Sequence, residues 1–267
     1  MSDRFSFNRV KAVLWKDLLE LRKNKGMVWS MLALPTVIVL VPLGIVRTYV
    51  RNPGDPNFRA IALYYDFTVD LDNAARFLVD KVLADWFVLY LMMPVFVPIL
   101  ISSHAVAGEK EKRTLEPLLS SPVTPLELVI GKSLASLSPS VAVCLLAFVA
   151  LCIGVDAVAW PLAHGFVLPN VMWTFGVFII SPLFAFFGNG VAVLISARVG
   201  DSRLAQQLAG LFVLPLVGLA AGQFGGVLKA GPEYYALLGG FVLLLDVAIL
   251  FSARRLFDRE RLMSRWG

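Results

Sequence analysis

Residues 134–155 read LASLSPSVAVCLLAFVALCIGV, a run without a single charged side chain. A helix needs about 20 apolar residues to cross about 30 Å of hydrocarbon, because each residue advances it by about 1.5 Å. Both cysteines of the chain, Cys144 and Cys152, lie inside this run. They can form neither a disulfide framework nor a four-ligand metal site, so the run predicts a transmembrane helix and no redox or zinc chemistry.

Five further windows of similar length carry no charge except Asp246 in the last one. The composition agrees with a membrane protein, since 58% of the 267 residues are hydrophobic, 16% are charged and the mean hydropathy is +0.76. Backbone groups in lipid must be satisfied within their own segment, which favours helices. We predict an all-α polytopic membrane protein with spans at about 27–46, 86–107, 134–155, 171–197, 204–228 and 234–253.

The basic residues indicate the orientation. Eighteen of the 24 Lys and Arg residues lie in segments 1–26, 108–133, 198–203 and 254–267, and six lie in the segments between them. By the positive-inside rule the first group is cytoplasmic, together with both termini, so we expect a multi-pass protein of the cytoplasmic (inner) membrane. The formal charge of +5 is distributed along the topology and not over one polar surface, which argues against a nucleic-acid partner.

The segment before the first span is predicted to lie on the inner membrane surface. Apolar residues recur there at helical spacing, with basic residues and Trp15 between them, at Val10, Val13, Leu14, Leu18 and Leu21. We do not expect a cleaved signal peptide. Without repeats or long linkers, residues 1–267 are expected to form one domain, with a cytoplasmic N-terminal segment at 1–26 and a cytoplasmic tail at 254–267.

The most informative segment between spans is 108–132, which reads GEKEKRTLEPLLSSPVTPLELVIGK. Thr124 and Glu127 have the spacing of a capping box with Pro125 at the first helical position, so a helix is predicted to begin there and continue into span three. Upstream, Leu115, Leu118 and Leu119 give a short helix an apolar face. That face needs a partner surface, which could be another protein or the ends of the chain's own helices.

This segment resembles the signature between the second and third spans of ABC-2 type transporter permeases. The resemblance implies a coupling helix at 109–119, a separate cytoplasmic ABC ATPase as partner, two such ATPases per transporter and a second permease chain, identical or not. The exported substrate is not readable from the sequence. The residues that carry the resemblance, and to which it assigns coupling to the ATPase, are Glu109, Glu111, Thr114, Leu115, Glu116, Leu118, Leu119, Pro122, Glu127, Gly131 and Lys132.

The chain itself is not expected to be an enzyme. Gly131, Lys132 and Ser133 resemble the end of a phosphate-binding loop, but Leu126 stands where the first glycine of that loop is required. No cofactor or metal is expected on this chain, and ATP and Mg are expected on the partner ATPase. Energy would otherwise have to come from an ion gradient.

The polar residues inside the spans leave alternatives open. Asp246 could line a pathway, could be a structural acid, or could be the ion site of a secondary transporter; a membrane-embedded enzyme is disfavoured because no second acid, base or metal ligand accompanies it. Possible pathway residues that could equally hold helices together are Asn189, Gln206 and Gln207. A small-residue ridge for intrachain packing or for a second permease is formed by Gly218, Gly222 and Gly226.

The coupling role of this segment can be tested with Glu116→Arg and Leu118→Asp. Each change alters a side chain that the resemblance places against the ATPase, so both variants should lose transport and permease-stimulated ATP hydrolysis while inserting normally into the membrane. Transport at the wild-type rate by both variants would show that the coupling assignment is wrong.

Overall fold

The computed structural model describes residues 5–66, 74–104, 107–111, 123–228 and 231–256, and all regular structure within these ranges is helical. The α-helices in chain order are α1 Phe7–Lys23, α2 Lys25–Arg51, α3 Pro56–Tyr65, α4 Ala74–Tyr90, α5 Met92–Ser102, α6 Ala107–Glu111, α7 Pro125–Ala163, α8 Val171–Phe175, α9 Ser181–Arg198, α10 Ser202–Gly210, α11 Leu214–Phe224 and α12 Pro232–Leu256.

Six helical stretches in the described residues are long and apolar enough to cross a membrane, which confirms the all-α polytopic class. We number them span one to span six: Lys25–Arg51, Ala74–Glu109, Leu126–Ala163, Val171–Arg198, Ser202–Phe224 and Pro232–Ala253. Span five ends at Phe224, earlier than the predicted Leu228. Gly226 adopts a left-handed φ of 71°, and the N–H groups of Val227 and Leu228 both donate to the Gly222 carbonyl, which ends the helix.

Prolines divide three of the spans. Proline has no N–H for the carbonyl four residues before it, so the regular ladder is interrupted there. Span two breaks at Leu91, ahead of Pro94; span four contains a π-helix at Gly176–Ile180, ahead of Pro182. Span five passes through a 3₁₀ turn at Leu211–Val213, ahead of Pro215. These spans are therefore built from shorter segments.

Span two lies at the centre of the bundle. Phe87, Tyr90 and Met93 on this span are completely buried. The Phe87 ring is 5.0 Å from the ring of Trp173 on span four and 4.7 Å from that of Tyr235 on span six, both in edge-to-face geometry. The aromatic contacts thus join spans two, four and six.

Spans two and four approach through glycine and a small polar cluster. A Cβ atom at Gly188 would lie 2.4 Å from the Val95 carbonyl oxygen, so no larger residue fits at this crossing. Next to it, the Asn189 side-chain oxygen accepts hydrogen bonds of 2.7 Å from Ser102 of span two and from Ser136 of span three. Asn189 therefore links three helices.

Helix α3 covers the start of span two, at the opposite end of this span from Ser102. Asp55 caps this helix by accepting a hydrogen bond of 2.8 Å from the Asn57 N–H. Phe58 and Ala62 of α3 pack on Ala74 and Leu78. Helix α3 therefore forms a cap over the start of span two.

Gly188→Ala should destabilise the protein by about 1–3 kcal/mol, because the new methyl group overlaps the span-two backbone. The matched control is Gly218→Ala, since a Cβ at Gly218 meets nothing within 4 Å and alanine is the better helix former. Thermal unfolding in detergent should show a lower midpoint for the first variant and an unchanged or higher one for the second. Equal midpoints would contradict the described crossing.

Candidate functional site

Helix α1 lies directly on the start of span three. Val10 and Val13 are almost fully buried, and a Cβ atom at Gly131 would lie 2.8 Å from the Val13 side chain and 3.1 Å from the Val10 carbonyl oxygen. The absence of a side chain at Gly131 is therefore what lets α1 contact the span-three backbone. Gly131 was assigned from the sequence to the coupling signature, and the structure gives it a packing role beside α1.

Four charged side chains form a cluster beside this contact. The Glu109 Oε1 atom lies 3.0 Å from Lys16 Nζ and 3.0 Å from Lys132 Nζ. Lys132 Nζ is also 3.4 Å from Asp17 Oδ2, and Lys16 Nζ is 3.7 Å from Asp17 Oδ1. We call Lys16, Asp17, Glu109 and Lys132 the charge cluster; it joins α1, the end of span two and the start of span three.

Three of the four side chains in the charge cluster are largely removed from water, whereas the Lys16 side chain is 48% exposed. The side chains of Glu109 and Lys132 are 8% and 9% exposed, and that of Asp17 is 17% exposed. Two cations and two anions compensate each other, which is the condition under which such burial is tolerated. Burial lowers the pKa of Lys16, but its hydrogen bond to Glu109 and the charges of Glu109 and Asp17 outweigh that effect, so the pKa is raised.

Glu127 forms a second link between α1 and span three. The predicted capping box is present: Glu127 accepts from the Thr124 N–H at 2.8 Å, and its own N–H donates to Thr124 Oγ1 at 3.3 Å. The Glu127 carboxylate also accepts a hydrogen bond of 2.6 Å from the Ser6 N–H and lies 3.6 Å from Arg9. The side chain is fully buried, so the cap of span three is at the same time an anchor for the N-terminus of α1.

Glu111 connects α6 to the beginning of span five. Its carboxylate accepts hydrogen bonds from the Ser202 N–H at 2.7 Å and from the Ser202 hydroxyl at 2.9 Å. These two donors bind the charged form of the carboxylate and thereby lower the pKa of Glu111. The contact also places an anion at the N-terminus of α10, where the helix dipole favours negative charge.

The first residue of α6 is held by span four. The Ala107 N–H donates to Ser196 Oγ at 3.0 Å, and the Ser196 hydroxyl donates to the Ser103 carbonyl at 2.8 Å. Together with the charge cluster and Glu111, this contact fixes residues 107–111 to α1 and to spans three, four and five. A displacement of this short helix would therefore act on four other elements.

A small cavity of about 100 Å³ adjoins the charge cluster. Its lining includes the charged residues Asp17, Glu109 and Lys132 and also Met27, Ile101 and His104. The ring Nδ1 atom of His104 lies 3.2 Å from the Leu100 carbonyl of the same span, within hydrogen-bonding distance. Among the described residues no group of three His, Cys, Asp or Glu side chains could hold a metal ion.

Part of the predicted coupling signature lies outside the described residues, namely Thr114, Leu115, Glu116, Leu118, Leu119 and Pro122. The described part of the signature lies at one end of the bundle, which we call the α1 end; it comprises Glu109, Glu111, Glu127, Gly131 and Lys132.

Sequence reasoning did not select the partners Lys16, Asp17 and Ser202 as site residues. One signal was available: Asp17 follows Val10 and Val13 at helical spacing, so an acid interrupts an apolar stripe.

The possible pathway residues do not share one environment. Asn189 is occupied by its two serine donors, Gln206 is half-buried and Gln207 is exposed. Asp246 is 9% exposed, and neither of its carboxylate oxygens has a hydrogen-bond partner among the described residues. Asp246 lies on the buried stripe of α12 with Val242 and Gly239, and Gly239 contacts Ile180 of span four.

The predicted small-residue ridge is split. Gly218 is surrounded by open space, whereas a Cβ at Gly222 would lie 2.8 Å from Leu228 of the following turn. Gly226 lies beyond the end of α11, so it does not continue the helical ridge of the other two. Of the three glycines, Gly218 alone presents open helix surface to a second chain.

The range of the chain that contains most of the spans is similar to a known protein family. A family model described as ABC-2 family transporter protein matches residues 47–243. No match was found among curated proteins. The matched range comprises most of the chain and contains Glu109, Glu111, Glu127, Gly131 and Lys132, whereas Lys16 and Asp17 of the charge cluster lie before it.

Proposed function

Because this chain belongs to the ABC-2 transporter family, we propose that it is the membrane subunit of an exporter driven by a separate cytoplasmic ATPase. Membership makes it an ABC permease, a multi-pass transport subunit. The proposal adds the direction of transport, the cytoplasmic location of the α1 end with both termini, and an assembly of two permease chains with two ATPase subunits.

Energy is proposed to enter from the partner and not from this chain. Gly131 and Lys132, which resemble part of a phosphate loop, lie within the helix of span three, where Gly131 packs on α1 and Lys132 binds Glu109. A phosphate loop requires a flexible glycine-rich turn between a strand and a helix, and these residues are committed to packing. ATP and Mg therefore belong to the ATPase in this proposal.

The single observation that carries the coupling proposal is the position of Glu109. One carboxylate oxygen receives two ammonium groups, one from α1 and one from span three, at 3.0 Å each. Glu109 is also the first charged residue of the 108–132 segment. A force applied to this segment would reach α1 and span three through short ionic contacts, of which the one to Lys132 is buried.

In the proposed mechanism, ATP-driven closure of the two ATPases displaces the 109–121 segments. The charge cluster carries α1 and the start of span three with it, and Glu111 carries the start of span five through Ser202. These elements shift as rigid units, because their mutual contacts are buried or doubly hydrogen-bonded. The shift changes access to a pathway between the two permease bundles. The substrate is left open.

The specific test is a double-mutant cycle of Glu109→Gln and Lys132→Met in the purified permease–ATPase complex. Each single change removes a charge from the cluster and should lower permease-stimulated ATP hydrolysis and transport, with a stability cost of about 2 kcal/mol. The double variant should lose less than the sum of the single losses, since both act on one contact.

The control for this cycle is Arg203→Gln, which removes an exposed cation from the same end of the bundle. This variant should keep wild-type coupling. Strictly additive losses, or full coupling in both single variants, would contradict the role of the charge cluster.

The rival function is an ion-coupled secondary carrier, and the buried, unpartnered Asp246 is the observation that favours it. Asp246→Asn separates the two functions, because asparagine fills nearly the same volume but cannot bind or release a proton or hold a charge for sodium. Transport by an ATP-driven exporter should require ATP in both the wild-type chain and this variant. Transport that runs on an ion gradient without ATP in the wild-type chain, and that is lost in Asp246→Asn with intact folding, would favour the carrier.

A further inference from the structure

Helix α1 has a second face that its packing on span three does not use. Val10 and Val13 are buried, whereas Trp15 and Leu19 are 64% and 40% exposed. At 3.6 residues per turn, Trp15 and Leu19 lie about 140° and 180° around the helix from Val10. The side of α1 that points away from the bundle is therefore apolar at its centre.

Basic residues flank this apolar centre. Lys11 and Arg22 lie on one side of it and Lys23 on the other, and all three are exposed. None of these three forms an ion pair within the part of the chain that the structure describes, in contrast to Lys16, which belongs to the charge cluster. We call Lys11, Trp15, Leu19, Arg22 and Lys23 the lateral face of α1.

An open groove of about 550 Å³ runs along the lateral face. It is lined by Ala12, Trp15, Lys16, Leu19, Glu20 and Lys23. Three of these lining residues are apolar and three are charged, and Glu20 contributes the one carboxylate. The positive excess of the surface comes from Lys11, Arg22 and Lys23.

The contacts of α1 fix its height relative to the membrane. Val10 and Val13 pack on Gly131, and Asp17 binds Lys132, within about 5 Å of the uncharged run of span three that starts at Leu134. At its other end α1 is followed by Asn24 and then by Lys25, the first residue of span one. Helix α1 is therefore level with the start of the uncharged runs of spans one and three.

We propose that the lateral face of α1 binds the headgroups of anionic phospholipids in the leaflet at the α1 end. Trp15 and Leu19 enter the boundary between headgroups and acyl chains, and the three cations reach the phosphates around them. A neutral membrane would satisfy the apolar side chains but would leave the cations without counter-charges, so negative headgroups are preferred. This inference rests on the proposed function for the identity of that leaflet as the cytoplasmic one.

The test uses the full chain in vesicles of phosphatidylcholine mixed with phosphatidylglycerol, in which either one lipid or the other carries brominated acyl chains. Bromine quenches a tryptophan that it touches, and the signal of Trp15 is the difference between the wild-type chain and Trp15→Phe. We expect stronger quenching of Trp15 when the bromine is on phosphatidylglycerol. The ratio of Trp15 quenching by brominated phosphatidylglycerol to quenching by brominated phosphatidylcholine should fall close to one when Lys11→Gln, Arg22→Gln and Lys23→Gln are combined. Each removed cation weakens the attraction for an anionic headgroup by up to about five-fold.

The matched control is Arg47→Gln with Arg51→Gln, two exposed cations at the other end of span one, which should leave the ratio unchanged. Equal quenching of Trp15 by both brominated lipids overturns the inference, as does the absence of quenching by either. If the partner ATPase protected Trp15 from quenching by both brominated lipids, the lateral face would bind a protein, and the inference would be overturned as well.

The two hypotheses can fail separately, because the quenching measurement requires neither transport nor ATP. A chain that prefers phosphatidylglycerol at Trp15 but does not couple to an ATPase would contradict the proposed function alone. Equal quenching in a complex that transports normally would contradict the lipid inference alone.

Discussion

The burial of Glu109 at the end of span two is the constraint on which the α1 end of the bundle depends. A carboxylate that is 8% exposed is costly unless its charge is compensated, and two lysines from two other elements compensate it. The requirement works in both directions, since Lys132 is equally buried and depends on Glu109 and Asp17. Helix α1 is consequently an integral part of the bundle although it lies ahead of the first span.

Further links at the same end follow the same principle of satisfying polar groups within the protein. Glu127 closes the cap of span three and holds the N-terminus of α1, Glu111 binds the first turn of α10, and Ser196 binds the first N–H of α6. Glu127 thus serves a local helix end and a distant element at once. Because water is excluded from the neighbouring hydrocarbon, such double use is the economical solution for helices that begin at its boundary.

The number of spans, their helical nature and the cap at Thr124 could be predicted from the sequence, because they depend on local composition and spacing. The pairing of Glu109 with Lys16 could not be predicted, since Lys16 is 93 positions away and a pairing over that distance leaves no periodic signal.

The divided spans were likewise only partly predictable. Pro94 and Pro182 indicate where a span can bend. Whether such a break becomes a turn or a π-helix depends on neighbours such as Phe87, whose ring lies where a Cβ of Gly176 would be. Gly226 was misplaced onto a helical ridge, because its left-handed φ depends on how the chain turns after Phe224.

Gly131 gives the α1 end a sensitivity that its charges alone would not have. Nonbonded carbon atoms are in comfortable contact at about 3.5–4.0 Å, and a methyl group at this position would stand 2.8 Å from Val13. Accommodating it would push α1 outward by roughly 1 Å, which is as much as separates a sound hydrogen bond from none. The distance between Lys16 and Glu109 thus depends on the absence of a side chain at Gly131. A change that adds one carbon there weakens an ionic contact in which Gly131 takes no part.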